Sequence, residues 1–207
     1  NKIPLSDILE NKEHALFKQV HTRIFHKKDI PDNMKNIITS KVHCDGFGFC
    51  LLDFNNFFYK FPHPPTHDNN LPSLLKLKSK AFIAHIRSAV TQKNTSSYWY
   101  NNHPFIHNQY SFCHNGCIPE GYDDYLNVDY DYKIHSNSDS EVIFKFLLYH
   151  LDNGLNMIDS VKKLINVLRE KVGCENTGLN IILSDSHEVL ILKYSANRTK
   201  LSLFYKV

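Results

Sequence analysis

A layered α+β domain is predicted for this chain, and three features of its pattern predict it. Two amphipathic segments stand together past its middle, apolar strand-like runs lie on both sides of them, and strands do not alternate regularly with helices. The length of 207 residues suits one such domain with a sizeable core. Leu5-Ser6-Asp7 reads as a helix start, with Ser6 as N-cap and Asp7 in the first turn. Ile8, Leu9, Leu16, Phe17 and Val20 then share one helical face. Residues 21–41 are polar, carry Pro31 and read as a loop. Residues 46–52 form a continuous apolar run bounded by turn residues, hence a buried strand, with Phe57-Phe58-Tyr59 as its hairpin partner. Residues 61–72 hold four of the eight prolines and read as a loop, followed by a short helix around Leu74 and Leu75. Residues 80–87 alternate and make a strand ending at Arg87; residues 91–100 are loop-like.

A further strand is expected over 109–113, stopped by Asn115-Gly116, a pair suited to positive φ. Residues 119–137 form an acidic, tyrosine-rich loop. Ser138 and Glu141 have capping-box spacing ahead of Val142, Ile143, Phe146, Leu147 and Leu151, and Gly154 marks the helix stop. Met157, Val161, Leu164, Ile165, Leu168 and Val172 mark a second helix ended by Gly173. Strands over 179–183, 189–194 and 201–205 close the chain, and no internal repeat is visible.

With 42% hydrophobic and 22% charged residues the composition is that of a globular protein, and abundant Lys, Asn, Tyr and Ile read as genome bias. A formal charge of +3 is too small to argue for nucleic acid or an anionic membrane. The five cysteines, at 44, 50, 113, 117 and 174, make no dense framework, which favours free thiols in a reducing compartment. No apolar run approaches a membrane span and the start is not a signal peptide, so the expected location is cytoplasmic.

Chemistry-bearing residues fall at the ends of these elements: Ala84-His85-Ile86-Arg87, Asn102-His103-Pro104-Phe105, His114-Asn115-Gly116 and Ser138-Asp139-Ser140-Glu141. Strand ends and helix starts are where a layered scaffold presents side chains to a ligand. Each piece has a plainer reading. Arg87 could be a surface cation, Asp139 a carboxylate favoured at a helix N-terminus, and Asn115-Gly116 a turn. Only their joint order favours a site. Metal binding competes, through Cys113, His114 and Cys117 and the i,i+4 pairs His103/His107 and His63/His67. No second ligand pair stands at motif spacing, and Pro104 argues against a helix joining His103 to His107, so neither metal nor cofactor is expected.

Taken together these pieces resemble the class II glutamine amidotransferases, N-terminal-nucleophile hydrolases, and most nearly their stand-alone branch of γ-glutamyl amide hydrolases. Leu5-Ser6-Asp7-Ile8-Leu9, His14-Ala15-Leu16-Phe17-Lys18-Gln19, Cys44-Asp45-Gly46-Phe47-Gly48, the four clusters above and Leu183-Ser184-Asp185 carry the likeness in order. The resemblance implies a four-layer αββα sandwich of two antiparallel sheets flanked by helices. It implies a single domain over 1–207 lacking its first strand and C-terminal tail, with a nucleophilic N-terminal cysteine about ten residues before the helix at Leu5. By the same resemblance, the side-chain amide of Asn115 and the backbone N–H of Gly116 are the catalytic oxyanion donors. Arg87 clamps the substrate's α-carboxylate, Asp139 pairs with its α-ammonium, His103 lines the pocket, and His85 and Asp45 support them.

Asn1 is no nucleophile, His43-Cys44 replaces Asn-Gly, Val90 stands where Thr is usual, and Thr91-Gln92 replaces a Gly-containing turn. The expected activity is cleavage of the γ-carboxamide of glutamine or a γ-glutamyl compound. The alternative is a catalytically inactive relative that binds such a ligand or a partner protein. With no synthase domain or ammonia acceptor legible, hydrolysis is favoured over ammonia transfer. The expected partners are a small-molecule amide and either a second copy or a partner enzyme, without nucleic acid or membrane.

Overall fold

The computed structural model describes residues 1–13, 15–20, 45–53, 57–88, 98–172 and 177–196. Its contacts divide the chain into two compact units, Asn1–Pro104 and Phe105–Val207. The expected loop over 21–41, the strand over 201–205, His43, Cys44, Val90, Thr91, Gln92 and Cys174 lie outside the described residues.

In the first unit, β1 (Ile3–Pro4) leads directly into α1 (Leu5–Leu9). Pro4, not Ser6, is the N-cap, and it makes no side-chain cap. The cause is tertiary: the first free amides of α1 donate instead to backbone carbonyls, Leu5 to Leu77 and Ser6 to Leu75. The expected single helical face also breaks, because Leu16–Val20 forms a separate 3-10 turn and Ile8 is exposed. The run at 46–52 is a strand as expected, β2 (Phe47–Leu51), buried along its whole length. It lies between β3 (Phe57–Phe61) and β5 (Phe82–Ile86), antiparallel to both.

The proline-rich stretch is not all loop, since Pro65–His67 is a 3-10 turn and α2 (Leu71–Leu74) places Pro72 in its first turn, where the missing amide costs nothing. A two-residue strand, β4 (Lys78–Ser79), pairs with β1. Alternate residues Phe47, Phe49 and Leu51 pack with Leu5, Leu9, Leu71 and Leu75 into this unit's core. Cys50 faces the other way and is fully buried, which pushes its thiol up to about 12.

The second unit carries a four-stranded antiparallel sheet in the order β6 (Phe105–His107), β7 (Tyr110–Cys117), β8 (Gly178–Ser184), β9 (Val189–Ser195). Asn115 and Gly116 do not stop β7. They pair with Asn180 and Leu179, so the ladder to β8 keeps extended a dipeptide that alone favours a turn. A short helix, α3 (Asp123–Leu126), interrupts the acidic loop.

Next come α4 (Asp139–Asp152) and α5 (Met157–Val167), the latter continuing as a π turn over Leu168–Val172. Ser138 caps α4 as expected, accepting from the Ser140 amide. The reciprocal half of the capping box is absent. Glu141 turns to the preceding segment, accepting from the amides of His135 at 3.0 Å and Ser136 at 2.6 Å and from the Tyr132 hydroxyl at 3.0 Å. Three donors outcompete the one that a capping box would offer. Phe112, Leu179, Ile181 and Leu183 meet Ile143, Phe144, Leu147, Val161 and Leu164 in one core, with the Phe112 and Phe144 rings stacked at 5.3 Å. No described helix is long and apolar enough to cross a membrane.

Candidate active site

Two groups of expected site residues form, one in each unit. In the first unit, Arg87 follows β5, and its amide donates to the Gly46 carbonyl at 2.8 Å. Its side chain is only 8% exposed, so it is no surface cation. Burial holds its pKa below the usual guanidinium value, and the Asp45 carboxylate opposes that shift. His85 sits beside β2 at the Gly48 register, and its ring lies 4.4 Å from that of His103.

His103 is 4% exposed, and the segment that carries it is held by Asn102, whose Nδ2 donates to the Phe61 carbonyl at 2.8 Å. This segment rests on the two glycines flanking Phe47. A Cβ at Gly46 would overlap Asn102, and one at Gly48 would overlap the His103 carbonyl and stand 2.9 Å from that of Tyr59. The Gly-Phe-Gly pattern therefore reads as a close approach of backbones.

In the second unit, strand alternation puts Asn115 on the face of β7 opposite α4 and α5, where it is exposed. Across the ladder stands Asn180, whose buried Oδ1 accepts no hydrogen bond among the described residues. Gly116, at φ +156°, could carry no side chain: a Cβ there would overlap the Gly178 carbonyl oxygen and stand 2.8 Å from His114 Nε2. The packing gives Gly116 a structural reason beside the expected catalytic one.

Asp139 opens α4, and its Oδ2 accepts from the Ile118 amide at 3.2 Å. That bond ties the helix start to the end of β7, two residues past Gly116. Cys117, exposed beside them, has its thiol pushed up by burial and then by the Asp139 charge. It is poorly disposed to act as a thiolate nucleophile.

The sequence singles out His114 only as a metal-ligand candidate and gives Ser140 no role. His114 is 3% exposed; its Nδ1 lies 3.0 Å from Ser140 Oγ and its Nε2 is 3.2 Å from the Gly178 carbonyl. Burial pushes the imidazole pKa down, against the pull of Asp139 and of that carbonyl. The signal available was the alternation itself, which puts His114 on the same inward face as Phe112. No group of three or more potential metal ligands gathers among the described residues.

The model of the family described as glutamine amidotransferases class-II matches residues 35–203. The chain belongs to that family. An uncharacterized protein of Methanocaldococcus jannaschii is 41% identical over 81 residues, 37% of this chain but 21% of that relative, so the match spans about a fifth of the curated relative's length.

Among solved structures, a glutamine aminotransferase class-II domain protein from Silicibacter pomeroyi is 24% identical over 74% of this chain and 71% of that one, with a TM-score of 0.55. At that identity the likeness shows a common fold: mixed α/β with antiparallel sheets, as in this class II amidotransferase. A predicted glutamine amidotransferase from Pseudomonas aeruginosa is 23% identical, covering 69% of this chain and 57% of that one, at a TM-score of 0.45. The glutamine phosphoribosylpyrophosphate amidotransferase from B. subtilis is 17% identical, covering 72% of this chain and 31% of that one, at 0.49.

Proposed function

We propose that the protein hydrolyses the γ-carboxamide of glutamine or a γ-glutamyl compound, through a cysteine that stands upstream of these residues. Its thiolate attacks the amide carbon, ammonia leaves with the proton that the nucleophile gave up, and water then cleaves the thioester to release the acid. As the carbonyl becomes an oxyanion, the Asn115 side-chain amide and the Gly116 N–H receive its charge. One such donor is worth about 3–4 kcal/mol of transition-state stabilisation. Arg87 takes the α-carboxylate through paired donors, Asp139 takes the α-ammonium, and His103 lines the pocket beside His85.

The observation that carries this reading is Asn115-Gly116 in extended strand, tied within three residues to the carboxylate of Asp139, in a chain matched to the family over 35–203. A buried guanidinium beside Asp45 supports it from the other unit.

The test is ammonia release from L-glutamine and γ-glutamyl amides by the full-length protein. Substituting the upstream cysteine by alanine should abolish turnover and leave ligand binding. Binding without turnover in the wild-type protein would instead favour the inactive relative.

A further inference from the structure

We propose that the buried His114–Ser140 pair keeps Asp139 open as an acceptor for the substrate's α-ammonium, and so sets selectivity for an amino-acid amide over its deaminated counterpart. The proposal rests on the role given to Asp139 above and extends it to two positioning residues.

The argument is a count of protons. The Gly178 carbonyl, 3.2 Å from His114 Nε2, can only accept, so Nε2 carries a hydrogen. In a neutral imidazole the other nitrogen then has none and can only accept. Its neighbour is the Ser140 hydroxyl at 3.0 Å, which must be the donor. Burial of His114 favours this neutral form.

The same hydroxyl lies 3.2 Å from Asp139 Oδ1, but it has one proton to give. While His114 holds that proton, Asp139 Oδ1 keeps, among the described residues, only the longer 3.5 Å approach of the Ser138 hydroxyl. Asp139 Oδ2 is committed to the Ile118 amide. The carboxylate is thus anchored through one oxygen and available through the other, which is the arrangement a substrate ammonium needs. Ser140 is fixed in turn by its own amide, which donates to Ser138 Oγ at 3.2 Å. Without the His114 acceptor, the Ser140 hydroxyl turns to Asp139 Oδ1 and competes for it.

The probes are L-glutamine and glutaramate, the same amide without its α-amino group, given to the full-length protein. His114→Gln can keep a donor at the Nε2 position for the Gly178 carbonyl but has no atom at the Nδ1 position to accept from Ser140. It should raise KM for L-glutamine about fivefold to tenfold, the scale of one hydrogen bond, and leave KM for glutaramate within about twofold. Adding Ser140→Ala removes the competing hydroxyl and should return KM for L-glutamine to within about twofold of wild type.

A merely structural role for the pair would depress both amides alike, with the double variant no better than the single. Either result overturns the proposal. If His114→Gln does not fold, Ser140→Ala alone decides: KM for L-glutamine at or below wild type supports the proposal, and a raised value overturns it. If wild-type protein releases ammonia from neither amide, the functional reading itself fails and the proposal falls with it.

Discussion

Gly116→Ala joins fold and site in one substitution. The added methyl would overlap the Gly178 carbonyl oxygen and stand 2.7 Å from the Gly178 carbonyl carbon and 2.8 Å from His114 Nε2. Ordinary contact begins at 3.4 Å, so β7 and β8 would have to part by at least about 0.7 Å to clear the Gly178 carbonyl carbon alone. The atoms in the way are strand backbone and a buried ring held at both nitrogens, neither of which can swing aside. Overpacking of this kind costs about 1–3 kcal/mol, and a side chain at φ +156° adds strain of about 1–3 kcal/mol more.

A loss near 4 kcal/mol is therefore expected, on the order of a third or more of a domain's stability. Gly121 supplies the control. It also has positive φ, but a Cβ there meets nothing within 4 Å. Gly121→Ala should show the backbone strain without the overlap, about 1 kcal/mol. Urea unfolding of both variants, read at equal m, separates the two contributions. If Gly116→Ala cost no more than Gly121→Ala, the close packing of β7 on Gly178 would be refuted.

Asn115→Ala should lower kcat about 100-fold, with KM and stability little changed, because the side chain is exposed; an unaffected kcat would remove Asn115 from the oxyanion role. Stability should fall as pH drops. The folded state holds His114 below its ordinary value of 6.5 through burial, so below that pH the unfolded chain binds the extra proton, at about 1.4 kcal/mol per pH unit. His150, lowered by burial and Lys163, adds the same sign, so His114→Gln should flatten the slope in part, as chemical denaturation at stepped pH would reveal. Glu141→Ala would strip the acceptor from the His135 and Ser136 amides and the Tyr132 hydroxyl. It should cost about 2–4 kcal/mol by thermal unfolding, whereas a loss under 1 kcal/mol would deny that Glu141 anchors the segment before α4.

Legibility followed the range over which each feature is determined. β2 and α4 were readable because a continuous apolar run and a helical face are properties of consecutive residues. The β1–β4 ladder was not, since two-residue strands have no period to read. Asn115-Gly116 reads locally as a stop, yet that preference yields to pairing with residues more than sixty positions away. Ser6 lost its expected cap to carbonyls at Leu75 and Leu77, and Glu141 turns from its capping box to three other donors. Motif order drew attention to Arg87, His103, Asn115, Gly116 and Asp139, yet their burial and ties came only with the structure. The partnership of His114 with Ser140 across 26 positions had no local signature at all.

The claim at the centre of this account is that Arg87 and Asp139 answer the two charges of one amino-acid amide. Steady-state ammonia release from L-glutamine by the full-length protein tests it most directly, for wild type, Arg87→Ala and Asp139→Asn. The account requires saturable release, with each substitution raising KM at least about tenfold, because each removes a charge-assisted pair. No release, or release whose KM ignores both substitutions, would contradict it.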